Sequence, residues 1–338
     1  MDKVLVHAIA GSGKTTTIIN SLNEEHRIVI ITYTINNQKL LRQEILKHFG
    51  YIPKNIKVYG LWEFLYKFCF LPFENIDYKG IIFDDKIIKI LNPYNRKARA
   101  IVNRYIISNQ LSKYLLANRK EDYIQRINQF IDKIYVDEVQ DFASYDLDWL
   151  LSLVQTSCDI YMYGDYYQKT YASSRAGNKG AGVIKNFDSY KNYFEKHGVT
   201  FDTTSHIKSY RCKSAICEYV RENLNIEIYS HNDGTAIVKH ISNLIDIEKI
   251  LKDQRIKKLF YQKSYCYQCN SINWGDSKGQ TYENVCVVLN KTTAQLFHKN
   301  RLNEMAATTK TRYYVACTRT RNDLYFIDEK DIPLKYLK

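Results

Sequence analysis

The chain has no hydrophobic run long enough to cross a membrane, and it opens directly on a short β-branched stretch instead of a basic segment followed by an apolar one. Both absences argue against a transmembrane helix and a secretory leader, and the expectation is a cytoplasmic protein. No fixed-period repeat and no low-complexity tract is present, which excludes solenoid arrays. Acidic residues are in deficit, 36 against 49 Lys and Arg, for a formal net charge of +13. Such a surplus suits a polyanionic partner, nucleic acid being the commonest; a composition heavy in Lys, Ile, Asn and Tyr also raises charge without any ligand. The eight cysteines are scattered, and one pair, Cys266–Tyr–Gln–Cys269, has metal-ligand spacing. Cys212 with Cys217 offers two more sulfurs, but the two pairs lack standard spacing and no His lies near them. They read as reduced thiols more than as a zinc or iron–sulfur site.

What is present begins at Val4–Thr17, VLVHAIAGSGKTTT. A β-branched run leads into a loop with two glycines and then into a helix-compatible segment, the order strand, phosphate loop, helix. Close approach of polyphosphate to backbone N–H groups needs residues without a Cβ, which Gly11 and Gly13 provide. Ala10, Gly11, Ser12, Gly13, Lys14, Thr15 and Thr16 form the expected nucleotide cradle, with Lys14 on the terminal phosphates and Thr15 on Mg²⁺. Ala8 stands where the full pattern has glycine.

Further along, Arg27–Thr34 and Ile56–Tyr59 read as strands, with helices after each and Gly50 as a helix stop. Residues of about 72–130, with a basic cluster at Arg96, Lys97 and Arg99, read as a helical insertion. The sheet resumes at Lys133–Val136 and Asp159–Tyr163, each ending in acidic residues, as expected of an open α/β sheet that binds ligands beyond its strand ends. A basic, glycine-containing loop (173–182) and a Tyr-rich helix follow, and a domain boundary is expected near 198. The second half alternates helix and strand in the same way. The length, 338 residues, accommodates two domains with separate cores.

Asp137–Glu138–Val139–Gln140–Asp141 after a buried strand completes a nucleotide-hydrolysing set. Asp137 is placed to hold Mg²⁺ and Glu138 to accept a proton from the attacking water.

In this order the motifs resemble superfamily 1 helicases of the UvrD/Rep/PcrA kind, whose second acidic motif also reads DE-x-QD. Gly164–Asp165–Tyr166–Tyr167–Gln168–Lys169–Thr170–Tyr171 is similar to the family's GD-x-x-Q-x-x-Y, Tyr210–Arg211 to its YR, Ser277–Lys278–Gly279 to its SKG, and Tyr314–Val315–Ala316–Cys317–Thr318–Arg319 to its YVA-x-TR. The resemblance implies two RecA-like P-loop NTPase domains, residues 1–198 and 199–338, with parallel sheets flanked by helices. It implies ATP and Mg²⁺ at a cleft between them, Gln168 sensing the γ-phosphate, Arg211 and Arg319 clamping it, and Gly279 touching nucleotide. The activity implied is ATP-dependent helicase or translocase action on single-stranded DNA, 3′ to 5′, with RNA left open.

DNA contacts implied are Thr32, Tyr33, Thr34, Tyr59, Trp62, Tyr171 and Lys278, the aromatic ones stacking on bases. Departures accompany them: Ile35 replaces the usual Asn, the 59–62 segment lacks the usual His, and Ser173 stands where a Trp is often found. Trp62 is equally suited to core packing. The interval from Arg211 to Lys278 is too short for the large accessory domain of those enzymes. The rival reading is therefore an ATPase switch without unwinding, working with a protein partner such as a nuclease; the motifs require no more than a monomer.

Overall fold

Runs such as Ile28–Thr32, buried at every position, form strands covered on both faces. In the computed structural model, which describes residues 1–91, 100–169 and 186–338, these strands belong to two compact units. The first comprises Met1–His7, Lys14–Gly164 and Tyr171–Asp202; the second comprises Ala8–Gly13, Asp165–Thr170 and Thr203–Lys338.

The first unit runs through β1 (Lys3–His7), α1 (Lys14–Asn20), β2 (Ile28–Thr32), α2 (Ile35–Phe49), β3 (Ile56–Gly60) and α3 (Leu61–Glu63), which continues as a π-helical stretch over Phe64–Phe70. Next come β4 (Gly80–Ile82), α4 (Asp85–Leu91), β5 (Ile101–Val102), β6 (Tyr105–Ile107), α5 (Ser108–Asn118) and α6 (Lys120–Phe130). The chain returns through β7 (Lys133–Val136), α7 (Tyr145–Ser152), β8 (Asp159–Gly164), α8 (Phe187–Lys196) and β9 (Thr200–Asp202). Six strands form one parallel sheet in the order β3-β2-β7-β8-β1-β9. The register pairs His7 with Gly164, Ile31 with Val136 and Thr32 with Gly60, so the C-terminal ends of these strands lie along one edge. Thr34 caps α2 by accepting from the Asn37 N–H at 3.1 Å, and Gly50 ends it in the left-handed conformation, φ +79°.

Arg27 and Asp132 fasten the starts of β2 and β7: the guanidinium meets the carboxylate at 2.6 Å, and the Arg27 N–H donates to it at 2.7 Å. The guanidinium bond, then the backbone one, holds the Asp132 carboxyl down to about 2. A carboxyl with a lowered folded-state pKa stabilises above its unfolded value and loses that contribution as pH falls through about 2. Asp132→Asn is therefore expected to lower the denaturation midpoint at neutral pH, modestly because the pair is at the surface, with the difference from wild type vanishing in strong acid.

The insertion departs from the all-helical expectation. Ala100–Ile107 forms a two-stranded antiparallel turn, with Val102 opposite Tyr105, and β4 joins β6 in parallel. Asn103 and Arg104 both take positive φ, 51° and 66°, the pairing that a two-residue hairpin with right-handed strand twist demands. Apolar β-branched residues on either side supply the strands. The cluster Arg96, Lys97 and Arg99 and the loop 173–182 lie outside the described residues.

The second unit contains β10 (Lys208–Lys213), α9 (Ser214–Leu224), β11 (Tyr229–Asn232), β12 (Val238–His240), α10 (Leu244–Lys252), β13 (Ile256–Phe260), β14 (Ser271–Asn273), β15 (Asn284–Leu289), α11 (Lys291–His298), α12 (Ala307–Cys317) and β16 (Leu324–Asp328). Its main sheet is parallel, in the order β12-β16-β15-β13-β14, and β10 pairs in parallel with β11. Its core buries Trp274, Tyr313, Tyr314, Val285 and Val287. Cys212 and Cys217 belong to this core, whereas Cys269 packs against a different cluster around Phe260 and Cys286. Burial raises the thiols of Cys212, Cys217 and Cys269. The two pairs therefore do not build one four-sulfur site. Among the described residues no helix is long and apolar enough to cross a membrane.

Candidate functional site

In the first unit the acidic motif is fixed by the sheet. The Asp137 N–H donates to the Ile31 carbonyl at 2.9 Å, extending the β2–β7 ladder by one residue, and the buried Asp137 carboxylate accepts from the Glu138 N–H at 3.0 Å. Glu138 itself sits in the left-handed region, φ +59°, a conformation that costs a non-glycine residue about 1 kcal/mol or more and tends to be kept where function uses it. Its carboxylate accepts from the Gln140 side-chain amide. The tight turn Val139–Asp141 passes over Gly164, where a Cβ would stand 2.6 Å from Gln140 Oε1 and 3.3 Å from the Val139 nitrogen. A glycine at the end of β8 thus lets this turn, and the glutamine that steers Glu138, lie close to the sheet. Lys14, Thr15 and Thr16 open α1, the first two half-buried and the third exposed.

The same unit carries an aromatic group. Tyr33, just after β2, lies 5.2 Å from Trp62, and Trp62 meets Phe83 edge-on at 5.5 Å between ring centroids. Trp62 is half-buried, whereas Phe83 is 56% exposed. Tyr59 points elsewhere, edge-on to the buried Phe64 at 5.6 Å. Thr32 is buried at the strand end, and Thr34 is engaged as the cap of α2. Phe83 escaped the sequence reading because one Phe after a short β-branched run looks like core, and only the fold brings it to Trp62.

In the second unit the Ala8–Gly13 segment packs against β10. Gly11, φ +74°, could not carry a side chain: its Cβ would fall 2.6 Å from Ser209 Oγ and 2.7 Å from Arg211 Cβ. The Tyr210 N–H donates to the Gly11 carbonyl at 2.8 Å, the Ile9 N–H to the His206 carbonyl at 3.2 Å, and the His206 ring contacts the Ser12 carbonyl at 3.1 Å. Gly13, φ +85°, lies under the Tyr210 ring. These bonds explain why Ala8–Gly13 groups with the second unit.

Asp165, fully buried, organises the next layer. It accepts from the Tyr314 hydroxyl at 3.0 Å, the Gln168 amide at 2.8 Å and the Tyr167 N–H at 3.0 Å. The Tyr314 hydroxyl oxygen in turn accepts from the Ala10 N–H at 3.1 Å. Gln168 Oε1 accepts from Arg319 Nη2 at 3.5 Å. Arg319 is 2% exposed, with Nε donating to the Val315 carbonyl at 3.0 Å, and Arg211 Nη1 donates to the Thr318 carbonyl at 3.1 Å. Burial first, then the Arg211 guanidinium, lowers the pKa of Arg319. The Asp165 carboxylate acts on Arg319 in the opposite sense, and the two guanidiniums with the Gln168 amide are donors of the kind that phosphate oxygens accept from.

The SKG segment is a turn anchored on the buried Trp274, whose carbonyl accepts from the Ser277 hydroxyl at 2.6 Å. Gly279 takes φ +81° with open space around it, so backbone conformation alone calls for glycine there. Lys278 is half-buried beside it. Glu283, four residues after Gly279, accepts from the Asn322 amide at 2.9 Å.

The structure thus brings Ala10, Gly11, Ser12, Gly13, Gln168, Arg211 and Arg319 together in the second unit, places Lys14, Thr15, Thr16, Asp137 and Glu138 in the first, and joins Tyr33 to Trp62 but not to Tyr59. Tyr171 lies outside the described residues.

No curated protein matches the chain in sequence. Among solved structures, the arterivirus nonstructural protein 10 helicase in complex with DNA is similar at a TM-score of 0.53 and 15% identity, covering 97% of this chain and 61% of that one. The same arterivirus helicase in another crystal structure gives 0.52 and 14%, covering 99% and 62%, and the PRRSV helicase 0.50 and 13%, covering 99% and 54%. The chain spans about three fifths of the length of these arterivirus helicases, and at such identity the likeness concerns the fold, an α/β architecture of RecA-like type. The model of the viral superfamily 1 RNA helicase core domain matches residues 89–328, the greater part of the sequence, and the chain belongs to that family.

Proposed function

We propose that the protein is an ATP-dependent motor that moves along single-stranded nucleic acid. The observation that carries this reading is the Arg211–Arg319 pair beside Gln168, guanidinium donors that a superfamily 1 fold supplies for the γ-phosphate. Lys14 would hold the terminal phosphates, and Glu138, aimed by Gln140, would accept the proton of the attacking water. Asp137 and the Thr15 hydroxyl are hard oxygen donors that fit Mg²⁺, which when bound would neutralise phosphate charge.

Tyr33, Trp62 and Phe83 would form a stacking surface for successive bases, at about 1–3 kcal/mol per base. Phe83→Ala is expected to weaken single-strand binding about fivefold, the low end of that range, with melting temperature nearly unchanged because the ring is exposed. Fluorescence anisotropy with labelled single-stranded DNA and RNA of one sequence measures this and decides which nucleic acid is preferred. Travel from 3′ to 5′ is the narrower reading carried by the UvrD/Rep/PcrA resemblance. Strand displacement from duplexes with a single 3′ or 5′ tail tests it, and displacement from the 5′ tail alone would detach the chain from that pattern.

A second reading, a nucleotide-dependent switch serving a protein partner such as a nuclease, is favoured by one feature. The interval between Arg211 and Lys278 is filled by α9, β11, β12, α10, β13 and β14 of the second unit itself, leaving no accessory domain. Hydrolysis without displacement from either tail would select it. A cytoplasmic site of action accords with either reading.

A further inference from the structure

We propose that His240, His298 and Asp328 form a binding site for one zinc-type divalent transition-metal ion, separate from the nucleotide machinery. His240 ends the edge strand β12, His298 is the last residue of α11, and Asp328 ends β16. Far apart in sequence, the three converge because β12 pairs with β16, His240 opposite Phe326, and α11 brings His298 to the same strand ends.

The donor atoms are already gathered. His240 Nε2 lies 3.2 Å from Asp328 Oδ1, and His298 Nε2 lies 3.2 Å from Oδ1 and 2.9 Å from Oδ2; one ligand atom from each residue falls within 4.8 Å of the others. Ligands around a tetrahedral zinc at 2.0–2.1 Å stand about 3.3–3.4 Å from one another, so small movements would admit an ion. Two imidazoles and one carboxylate suit zinc, cobalt or iron(II) better than magnesium or calcium, which take oxygen ligands. Asp328 is buried, while His240 and His298 reach the surface, leaving an outer side open to solvent. The imidazole planes are perpendicular, with centroids 5.0 Å apart, and the His240 ring also leans on Phe297 at 5.3 Å. A helix C-terminus at His298 favours positive charge. Lys330 Nζ, at the surface 3.8 Å from Asp328 Oδ2, is the cation that a metal would displace.

The site lies away from the arginine pair. Arg319 precedes β16, whereas Asp328 ends it, and β16 itself spans roughly 13 Å at 3.3 Å per residue. The ion would pin the edge strand β12 and the end of α11 to the sheet, a structural role.

The test uses the full chain, treated with chelator and free of nucleotide, titrated with cobalt(II) chloride by visible absorption and with zinc chloride by calorimetry and thermal melting. One ion per chain is expected, with a cobalt spectrum lacking sulfur-to-metal charge-transfer bands and a melting temperature raised by roughly 5 °C at a hundredfold excess over Kd. His298→Ala, at a half-exposed position, is expected to weaken binding at least tenfold and to remove the thermal shift; His240→Asn should do the same. Absence of binding at micromolar metal would overturn the proposal. So would binding unchanged in both histidine variants, or binding lost instead in a Cys266→Ser/Cys269→Ser variant.

Discussion

Lys14→Ala is expected to abolish nucleotide hydrolysis, lowering turnover about 10³-fold or more, the scale on which one oriented charge stabilises a transition state. The ammonium is a compact point charge at the start of α1, and alanine leaves nothing to reach a terminal phosphate. Lys14 is half-buried, and alanine is the better helix former, so the fold should persist. Phosphate release, read beside a thermal melt, separates loss of chemistry from loss of structure. Retained turnover in a folded Lys14→Ala protein would remove this residue from the site.

Arg319→Lys carries the second large effect. Lysine keeps a charge but loses the rigid fork that now reaches the Val315 carbonyl, the Thr318 hydroxyl and Gln168 together. Arginines that stabilise a transferring phosphoryl group are worth about 10³–10⁵ in turnover, so a fall of at least 100-fold is expected for this charge-conserving change. Stability should fall as well, by about 2 kcal/mol, because buried partners of a charged donor lose geometry. Nucleotide affinity should change much less than turnover if Arg319 acts mainly on transition-state charge. Binding of a fluorescent ATP analogue, compared with kcat on the same preparation, makes that distinction; an equal loss in both would mean that Arg319 only holds the ground state.

Most strands of both sheets were legible because strands buried on two faces must be near-continuous apolar runs, as Ile28–Thr32 and Val285–Leu289 are, whereas the three-residue edge strands β9 and β14 were not read. The phosphate loop and the DE pair were legible because the chemistry restricts residue types at fixed spacing. β10 was not, since KSYRCK alternates exposure and takes its place by pairing with β11 and hydrogen bonding to the Gly11 carbonyl, neither of which is local. The hairpin at Ile101–Ile107 hid behind helix-compatible neighbours, its turn being Asn–Arg without the glycine that usually marks one. Asp165 read as one residue of a motif, whereas its role as a hub depends on Tyr314, which the sequence places far away. Phe83 and the His240–His298–Asp328 group likewise exist only once the fold assembles them.

The most direct test of the central claim is steady-state ATP hydrolysis with and without a single-stranded oligonucleotide, run beside Glu138→Gln. Glutamine at 138 preserves an acceptor for the Gln140 amide while removing the base, so the variant should bind nucleotide and fail to turn it over. The account predicts strong stimulation of the wild type by single strand and none in the variant. Hydrolysis that ignores nucleic acid, or that survives Glu138→Gln, would contradict it.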